Sequence, residues 1–148
     1  MLTVPLIVAS LGGPASIVGH ATKAEQGESR SIEDGVYTAG QAARGEESFR
    51  ACTYCHGRDL RGGDDPPGPP LKGEIFLNRW SGKTVGDLWL RIAETMPRRN
   101  PGSLSPEAYA DIVGYMLQAN GMPAGAVDLQ PDVDRLGAIA MRKHRRDE

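Results

Sequence analysis

The chain has 148 residues, which is enough for one domain with additional segments at its ends. Its 17 basic and 19 acidic residues give a formal net charge of -2, which excludes the strongly basic character of a general nucleic-acid-binding protein. Hydrophobic residues make up 39% of the chain but aromatic residues only 5%, and 19 glycines and 11 prolines indicate many loops. A loop-rich domain with few aromatic residues needs something to pack around, and a large buried cofactor would meet that need.

The N-terminal segment predicts export. Its apolar run from Leu2 to Leu11 is too short to span a bilayer, and small residues near its end fit a cleavage site. We therefore predict a secretion signal over residues 1–21, although the basic start of such a signal is missing. A retained anchor and a misassigned start of the chain remain alternatives. The polar residues 22–37 predict a flexible lead-in to a domain that spans residues 38–125.

Helical signals dominate that domain, and no segment has the period-2 alternation of a β-strand. A first helix is predicted from about Thr38 to Thr53, with Phe49 facing inward. A second helix is predicted to begin after Thr84, with Asp87 three residues on in a capping-box arrangement. The glycine- and proline-rich segment between these helices predicts a loop, in which EIFLNRW could form a turn of helix.

A third helix is predicted after Ser105, with Pro106 at its first position and a stop at Gly121. The buried faces predicted for the second and third helices consist of Leu88, Ile92, Ala93, Tyr109, Ile112, Val113, Met116 and Leu117. Residues 126–148 predict a short amphipathic helix that packs back on the domain, followed by a basic tail. The apolar positions of that helix are Leu129, Val133, Leu136 and Ala140.

The only two cysteines, Cys52 and Cys55, lie in the sequence CTYCH, with His56 directly after the second. Zinc needs four ligands, and the chain has no other cysteine and only two other histidines, near its ends. A dithiol redox pair has no use for the adjacent histidine. The C-x-x-C-H spacing is typical of covalent haem attachment, in which the thiols bond the haem vinyl groups and the histidine ligates the iron. The sequence therefore predicts one haem c, with a disulfide or redox turn beside an incidental histidine as the alternative.

Methionine is the usual second axial ligand of an electron-transfer haem. Met96 follows the second predicted helix and precedes Pro97, which ends that helix and can hold the sulfur toward a metal. Met122, after the third helix, is the rival candidate. Met116 is predicted to lie in the core and Met141 in the tail. We predict ligation by His56 and Met96, and an open or water-bound iron remains an alternative.

The chain resembles class I cytochrome c in three short motifs. CTYCH is similar to the haem motif, GPPLKG to the G-P-x-L-x-G loop and TMP to the methionine-ligand loop. The longer stretches CHGRDLRGG, PPLKGEIFLNRWSGKTVGDLWLRI and TMPRRNPGSLSPEAYADIVGYMLQANGMPAG resemble the cytochrome c domains that work beside PQQ-dependent alcohol and related dehydrogenases. The resemblance covers residues 39–125. It implies an all-α class I cytochrome c fold, with three main helices and long loops around one covalently bound haem.

The resemblance also implies roles for other residues. Pro69 should accept a hydrogen bond from Nδ1 of His56 through its carbonyl, and Leu71 should pack on the haem face. Trp80 should reach a haem propionate through its indole N–H, with plain core packing as the alternative. Two arginines beside the methionine could pair with propionates, dock a partner or be solvated surface residues. These are Arg98 and Arg99.

The first helix departs from the family pattern. The family usually places an aromatic residue four positions before the first cysteine, whereas Phe49 lies three positions before Cys52. The usual crossing of this helix against Gly114 and Tyr115 is therefore left open.

Three functions are compatible with this site. The first is a periplasmic electron carrier, not itself an enzyme, between a dehydrogenase, for example a quinoprotein, and an oxidase or another cytochrome. The second is a fixed cytochrome subunit of a multi-protein redox complex. The third is a haem sensor or peroxidase in which a ligand displaces Met96, but the sequence lacks an obvious distal His or Arg constellation for peroxide chemistry. The expected partners are redox proteins bound by a monomer or complex subunit, with no nucleic acid and no clear membrane span.

Overall fold

The computed structural model describes residues 30–142, so the predicted signal and most of the basic tail lie outside the described residues. This part of the chain is mostly helical, with two small two-stranded sheets that the sequence did not predict. The elements in chain order are β1 (Arg30–Ser31), α1 (Ala39–Phe49), α2 (Thr53–His56), β2 (Gly63–Asp64), β3 (Pro67–Gly68), α3 (Glu74–Trp80), α4 (Val85–Thr95), α5 (Pro106–Ala119), α6 (Val133–Gly137) and β4 (Ile139–Ala140). Within residues 30–142 no helix is both long enough and apolar enough to cross a membrane.

Local capping signals set the start of the three long helices. The Thr38 side chain accepts a hydrogen bond from the backbone N–H three residues on, at the start of α1. Thr84 and Asp87 form the predicted capping box of α4, each accepting from the other's backbone N–H. Ser105 caps α5, with Pro106 as its first residue. The predicted starts of all three helices are confirmed.

Helix α1 ends earlier than predicted and still crosses α5. It stops at Phe49, and residues 50–52 form a turn of 3-10 helix before α2. The crossing depends on Gly45, because a Cβ there would lie 1.9 Å from the Asp111 carbonyl oxygen of α5. The Phe49 ring then packs on Tyr115, with ring centroids 5.4 Å apart. The 3-10 turn winds more tightly than an α-helix, which accommodates the one-residue change in spacing before the first cysteine.

The hydrophobic core lies between α1, α4 and α5 and extends under both ends of the described chain. The predicted inward positions Phe49, Leu88 and Val113 are buried. Ile92 and Ala93 are only half-buried, and Trp89 takes a buried position on α4 that the sequence did not predict. The segment EIFLNRW forms a complete short helix, α3, because Phe76 anchors it in the core with 1% of its surface exposed.

The predicted lead-in is wrong for residues 30–37. Ile32, Val36 and Tyr37 are almost fully buried in the core, and the Tyr37 hydroxyl donates a 2.6 Å hydrogen bond to the backbone carbonyl of Met122. Strand β1 pairs in parallel with β4, so this segment also joins the C-terminal end of the described chain. The polar residues that surround these three apolar side chains concealed their burial in the sequence.

The predicted C-terminal helix is also wrong in extent, although the segment does pack back on the domain. Helix α6 covers five residues, begins with an Asp132 cap and buries Leu136, while Val133 stays 47% exposed. The chain leaves the helix after Gly137 because residues 139–140 pair with β1 instead. The backbone N–H of Met141 then donates to the Lys83 carbonyl at 2.9 Å, next to the start of α4.

Candidate functional site

One cavity of about 580 Å³ opens between the long helices and the loops. Its lining includes all seven predicted site residues, which are Cys52, Cys55, His56, Pro69, Leu71, Trp80 and Met96. Much of the remaining wall is apolar and comes from Phe49, Phe76, Leu88, Leu104 and Ile112. A cavity of this size and character suits a large apolar cofactor.

His56 forms one wall of the cavity. It is the last residue of α2 and only 7% exposed. Its Nδ1 lies 2.9 Å from the Pro69 carbonyl oxygen, which can only accept, so Nδ1 carries the proton. The predicted pair of atoms is therefore in contact, and Nε2 is the nitrogen left with a lone pair for a metal.

A close packing of loops holds His56 in that position. The His56 carbonyl accepts a hydrogen bond from Gly62 N–H at 2.9 Å. A Cβ on Gly68 would lie 2.1 Å from the Cys55 carbonyl oxygen, so only glycine lets the loop that contains Pro69 approach α2 this closely. This approach brings the Pro69 carbonyl within reach of the imidazole.

The two cysteines lie on the turn that precedes His56. Both are free thiols and half-buried, Cys52 at the end of the 3-10 turn and Cys55 within α2. Burial raises the pKa of the Cys52 thiol to about 11, and the neighbouring Cys55 adds a smaller contribution. Both thiols border the cavity and can reach a group bound inside it.

Met96 lies at the C-terminal end of α4. Its extended backbone takes the chain out of the helix, while its N–H still donates to the Ile92 carbonyl at 2.9 Å. The rival Met122 is 5% exposed and packs in the core outside the cavity lining, and Met141 is also buried there. Met116 is a core residue, as predicted, and in addition borders the cavity. The structure thus brings two methionines to the cavity.

Trp80 borders the cavity at the end of α3. Its ring packs at a tilt against Phe76, with centroids 6.4 Å apart. Within residues 30–142 its indole N–H has no protein hydrogen-bond partner, so it is free to donate to a bound acceptor. A smaller hollow of about 300 Å³ adjoins the same residue and is also lined by Arg79, Lys83, Asp87 and Arg91.

In the part of the chain that the structure describes, the ionic side chains of the cavity lining are all arginines. They are Arg79, Arg91 and Arg98, while Arg99 is exposed outside the lining. Among the described residues none of the three is in a salt bridge. An anionic edge of a bound group would therefore meet positive charge there.

The sequence prediction missed Arg79 and Arg91 as cavity residues. Leu88, Arg91, Ile92 and Thr95 follow the i, i+3, i+4, i+7 spacing of one helix face, and all four border the cavity. Only the apolar members of that face had been predicted as inward, so helical periodicity applied to the polar residues would have found Arg91. Arg79 has no comparable signal, since its position depends on how α3 is oriented.

The cavity residues fit a haem. The walls are apolar, a buried imidazole presents one nitrogen, two thiols flank it, and the cationic lining can meet the haem carboxylates. Within the part of the chain that the structure describes, no group of three or more His, Cys, Asp or Glu side chains could hold a bare metal ion.

Comparison with known proteins gives one match. The family model described as cytochrome c oxidase, cbb3-type, subunit III matches residues 40–116, a range that contains CTYCH and all seven predicted site residues. No curated protein and no solved structure matches the chain. Since the family model covers slightly more than half of the 148 residues, the chain belongs to this family of c-type cytochromes.

Proposed function

We propose that the protein is an exported, periplasmic cytochrome with one haem c, which passes single electrons between a dehydrogenase and a terminal oxidase or another cytochrome. One observation carries the proposal: His56 and Met96 border the same cavity as Cys52 and Cys55. Family membership implies haem c and supports an electron-transfer role.

The chain's own residues would hold the haem in the following way. Cys52 and Cys55 would form the two thioether bonds, and His56 through Nε2 and Met96 through its sulfur would ligate the iron. The Pro69 carbonyl keeps the proton on Nδ1, which fixes the imidazole and makes it a stronger donor to iron. A bound haem would supply the one-electron couple, and with both His56 and Met96 on the iron no position would be open to a substrate.

Other cavity residues would orient the haem and exclude water. Both Leu71 and Trp80 border the cavity, where Leu71 would pack on the haem face and the free indole N–H of Trp80 would donate to a propionate. Arg79, Arg91 and Arg98 supply the positive charge that two propionates require. Arg99 is exposed outside the cavity and is better placed to meet a partner protein.

The first test is the optical spectrum of the oxidised and reduced holoprotein. Methionine bonded to ferric haem gives a weak near-infrared band, which we expect in the natural protein. It should disappear in Met96→Ala and persist in Met116→Ala, a matched control because Met116 borders the same cavity. A high-spin spectrum without the band, together with carbon monoxide binding by the reduced natural protein, would instead support a sensor or peroxidase.

A second candidate is a fixed subunit of a redox complex, which the description of the matched family favours. The similarity of the longer sequence stretches to cytochromes that work beside quinoprotein dehydrogenases favours a dehydrogenase as the electron donor. Purification from membranes and periplasm at low and high salt separates the two. A carrier should leave its partners at high salt, since transient electron-transfer contacts are small and charge-dependent, whereas a subunit should remain associated.

Export is tested by fractionation. The holoprotein should appear in the periplasmic fraction, and deletion of residues 2–21 should abolish haem attachment as well as export. Holoprotein in the cytoplasmic fraction of the natural strain would contradict this part of the proposal.

A further inference from the structure

Two polar side chains, one within α5 and one directly after its last residue, hold the two loops that border the cavity. At one end of the helix, the Tyr109 hydroxyl donates a 2.6 Å hydrogen bond to the backbone carbonyl of Met96. At the other end, the Asn120 side chain donates to the Leu71 carbonyl at 3.0 Å and accepts from Gly73 N–H at 2.9 Å. Helix α5 therefore connects the methionine side of the cavity with the loop that follows Pro69.

The contact on the methionine side holds a segment that has few other attachments. Met96 is half-buried, and the three residues after Pro97 are exposed. The Met96 carbonyl receives one further hydrogen bond, from Gly102 N–H at a long 3.4 Å. The Tyr109 hydroxyl also lies 3.5 Å from the backbone nitrogen of Leu104, at the far end of the same loop.

Tyr109 is well suited to hold that loop in place. Its side chain is 3% exposed, and its ring borders the cavity. It belongs to a 14-residue helix that packs on both α1 and α4, so its hydroxyl is presented from a rigid support. A short hydrogen bond in such a dry position is stronger than the same bond in water.

We propose that Tyr109 is a positioning residue for Met96, whose backbone it holds so that the sulfur stays at the sixth position of the haem iron. This inference rests on the proposed function, in which Met96 is the axial ligand. Without the hydroxyl, the loop opens more often and the sixth position becomes accessible to added ligands.

The test compares Tyr109→Phe with Tyr115→Phe, each as the haem-loaded full chain. Tyr115 lies on the same helix outside the cavity lining, and its hydroxyl has no hydrogen-bond partner within residues 30–142, so this variant loses a hydroxyl without losing a bond. Imidazole is titrated against each ferric protein, and loss of the methionine–iron band reports its binding.

We expect imidazole to bind Tyr109→Phe about five- to tenfold more tightly than the natural protein, the change that loss of one ordinary buried hydrogen bond gives. Tyr115→Phe should match the natural protein. Equal imidazole affinity in all three proteins would overturn the inference, even if Tyr109→Phe unfolds more easily, because a merely structural role changes stability and not access to the iron.

Two other results would also test this role of Tyr109. If Tyr109→Phe does not retain haem, 3-fluorotyrosine at position 109 keeps the ring and hydroxyl and makes the hydroxyl a stronger donor. It should weaken imidazole binding, and unchanged affinity would overturn the inference. If the natural protein lacks the methionine–iron band and Met96→Ala binds imidazole as the natural protein does, the proposed axial pair fails and the inference fails with it.

Discussion

Gly45→Ala tests whether the crossing of α1 and α5 determines the fold. The added Cβ would lie 1.9 Å from the Asp111 carbonyl oxygen and 2.9 Å from the Tyr115 Cβ. The first distance is about 1.5 Å short of the 3.4 Å at which ordinary contact begins. Because the obstacle is the backbone of a long helix and not the end of a flexible side chain, the two helices must separate.

The cost follows from two opposed effects. Overpacking a close contact costs about 1–3 kcal/mol, and a backbone obstacle places this site at the upper end. Alanine in place of glycine inside a helix returns about 1 kcal/mol. We therefore expect the free energy of unfolding to fall by about 2 kcal/mol. Displacement of α1 also moves Phe49, which lines the cavity. The cavity then fits its ligand less well, and haem incorporation should fall as well.

Guanidinium unfolding of the holoprotein measures the effect, and Gly40→Ala is the matched control in the same helix. A Cβ at Gly40 would meet only side-chain atoms of Thr38 and Arg44, at 3.8 and 3.9 Å. This exposed position should gain up to about 0.5 kcal/mol. If Gly45→Ala proved as stable as Gly40→Ala, the close helix crossing would not exist in the protein and the reasoning would be refuted.

Three further predictions concern other parts of the fold. Asn120→Ala should lower the free energy of unfolding by about 1–2 kcal/mol, because it removes the hydrogen bonds to the half-buried Leu71 carbonyl and to Gly73 N–H; unchanged stability in denaturant would contradict this. The backbone N–H of Thr84 lowers the pKa of Asp87 in the folded protein. The ionised carboxylate therefore stabilises the fold above its ordinary pKa of 3.8, and this stabilisation disappears as the pH falls through the lowered pKa. The stability difference between the natural protein and Asp87→Asn should therefore shrink in acid, and a constant difference from neutral pH to pH about 2 would exclude this role. Leu136→Ala should lower the free energy of unfolding by about 2–5 kcal/mol and Val133→Ala by much less, since the Leu136 side chain is 1% exposed and that of Val133 47%. Equal losses of stability in thermal unfolding would show that α6 does not pack as described.

The sequence predicted best what short segments determine by themselves. CTYCH fixes the spacing of two thiols and an imidazole within one helical turn, and the structure brings all three to one cavity. The starts of the long helices follow from single capping residues such as Thr38 and Ser105. None of these signals depends on residues that are distant in the sequence.

Features that join distant segments could not be read in the same way. The hydrogen bond from Tyr109 to Met96 spans 13 residues and that from Asn120 to Leu71 spans 49. Neither residue has a motif, because a tyrosine or asparagine on a helix has the same local pattern whether its polar group meets a loop or water. The sequence favoured Met96 over Met122 as the ligand, and of these two the cavity lining includes Met96. Met122 is buried in the core, where its backbone carbonyl accepts a hydrogen bond from the distant Tyr37.

The two segments outside the family match show why local polarity misled the prediction. Within residues 30–142, nine of the 21 buried apolar residues lie outside the matched range 40–116, among them Ile32, Leu129, Leu136 and Ile139. Each segment alone has too few apolar residues to predict a packed element. Together they form one layer, since β1 pairs with β4 and β4 in turn adjoins α4.

This layer connects the ends of the described chain to the haem site. A Cβ on Gly86 of α4 would lie 2.9 Å from the Gly137 backbone nitrogen, so α6 rests directly on the helix that ends at Met96. Directly after β4, the Met141 N–H donates to the backbone carbonyl of Lys83, a residue that lines the smaller hollow beside Trp80. In a chain with only two phenylalanines, these terminal segments supply the apolar surface that α4 needs on the side away from the cavity. The position of Met96 therefore depends on residues far outside the cytochrome motif, because α4 packs on the terminal segments as well as on the cavity side.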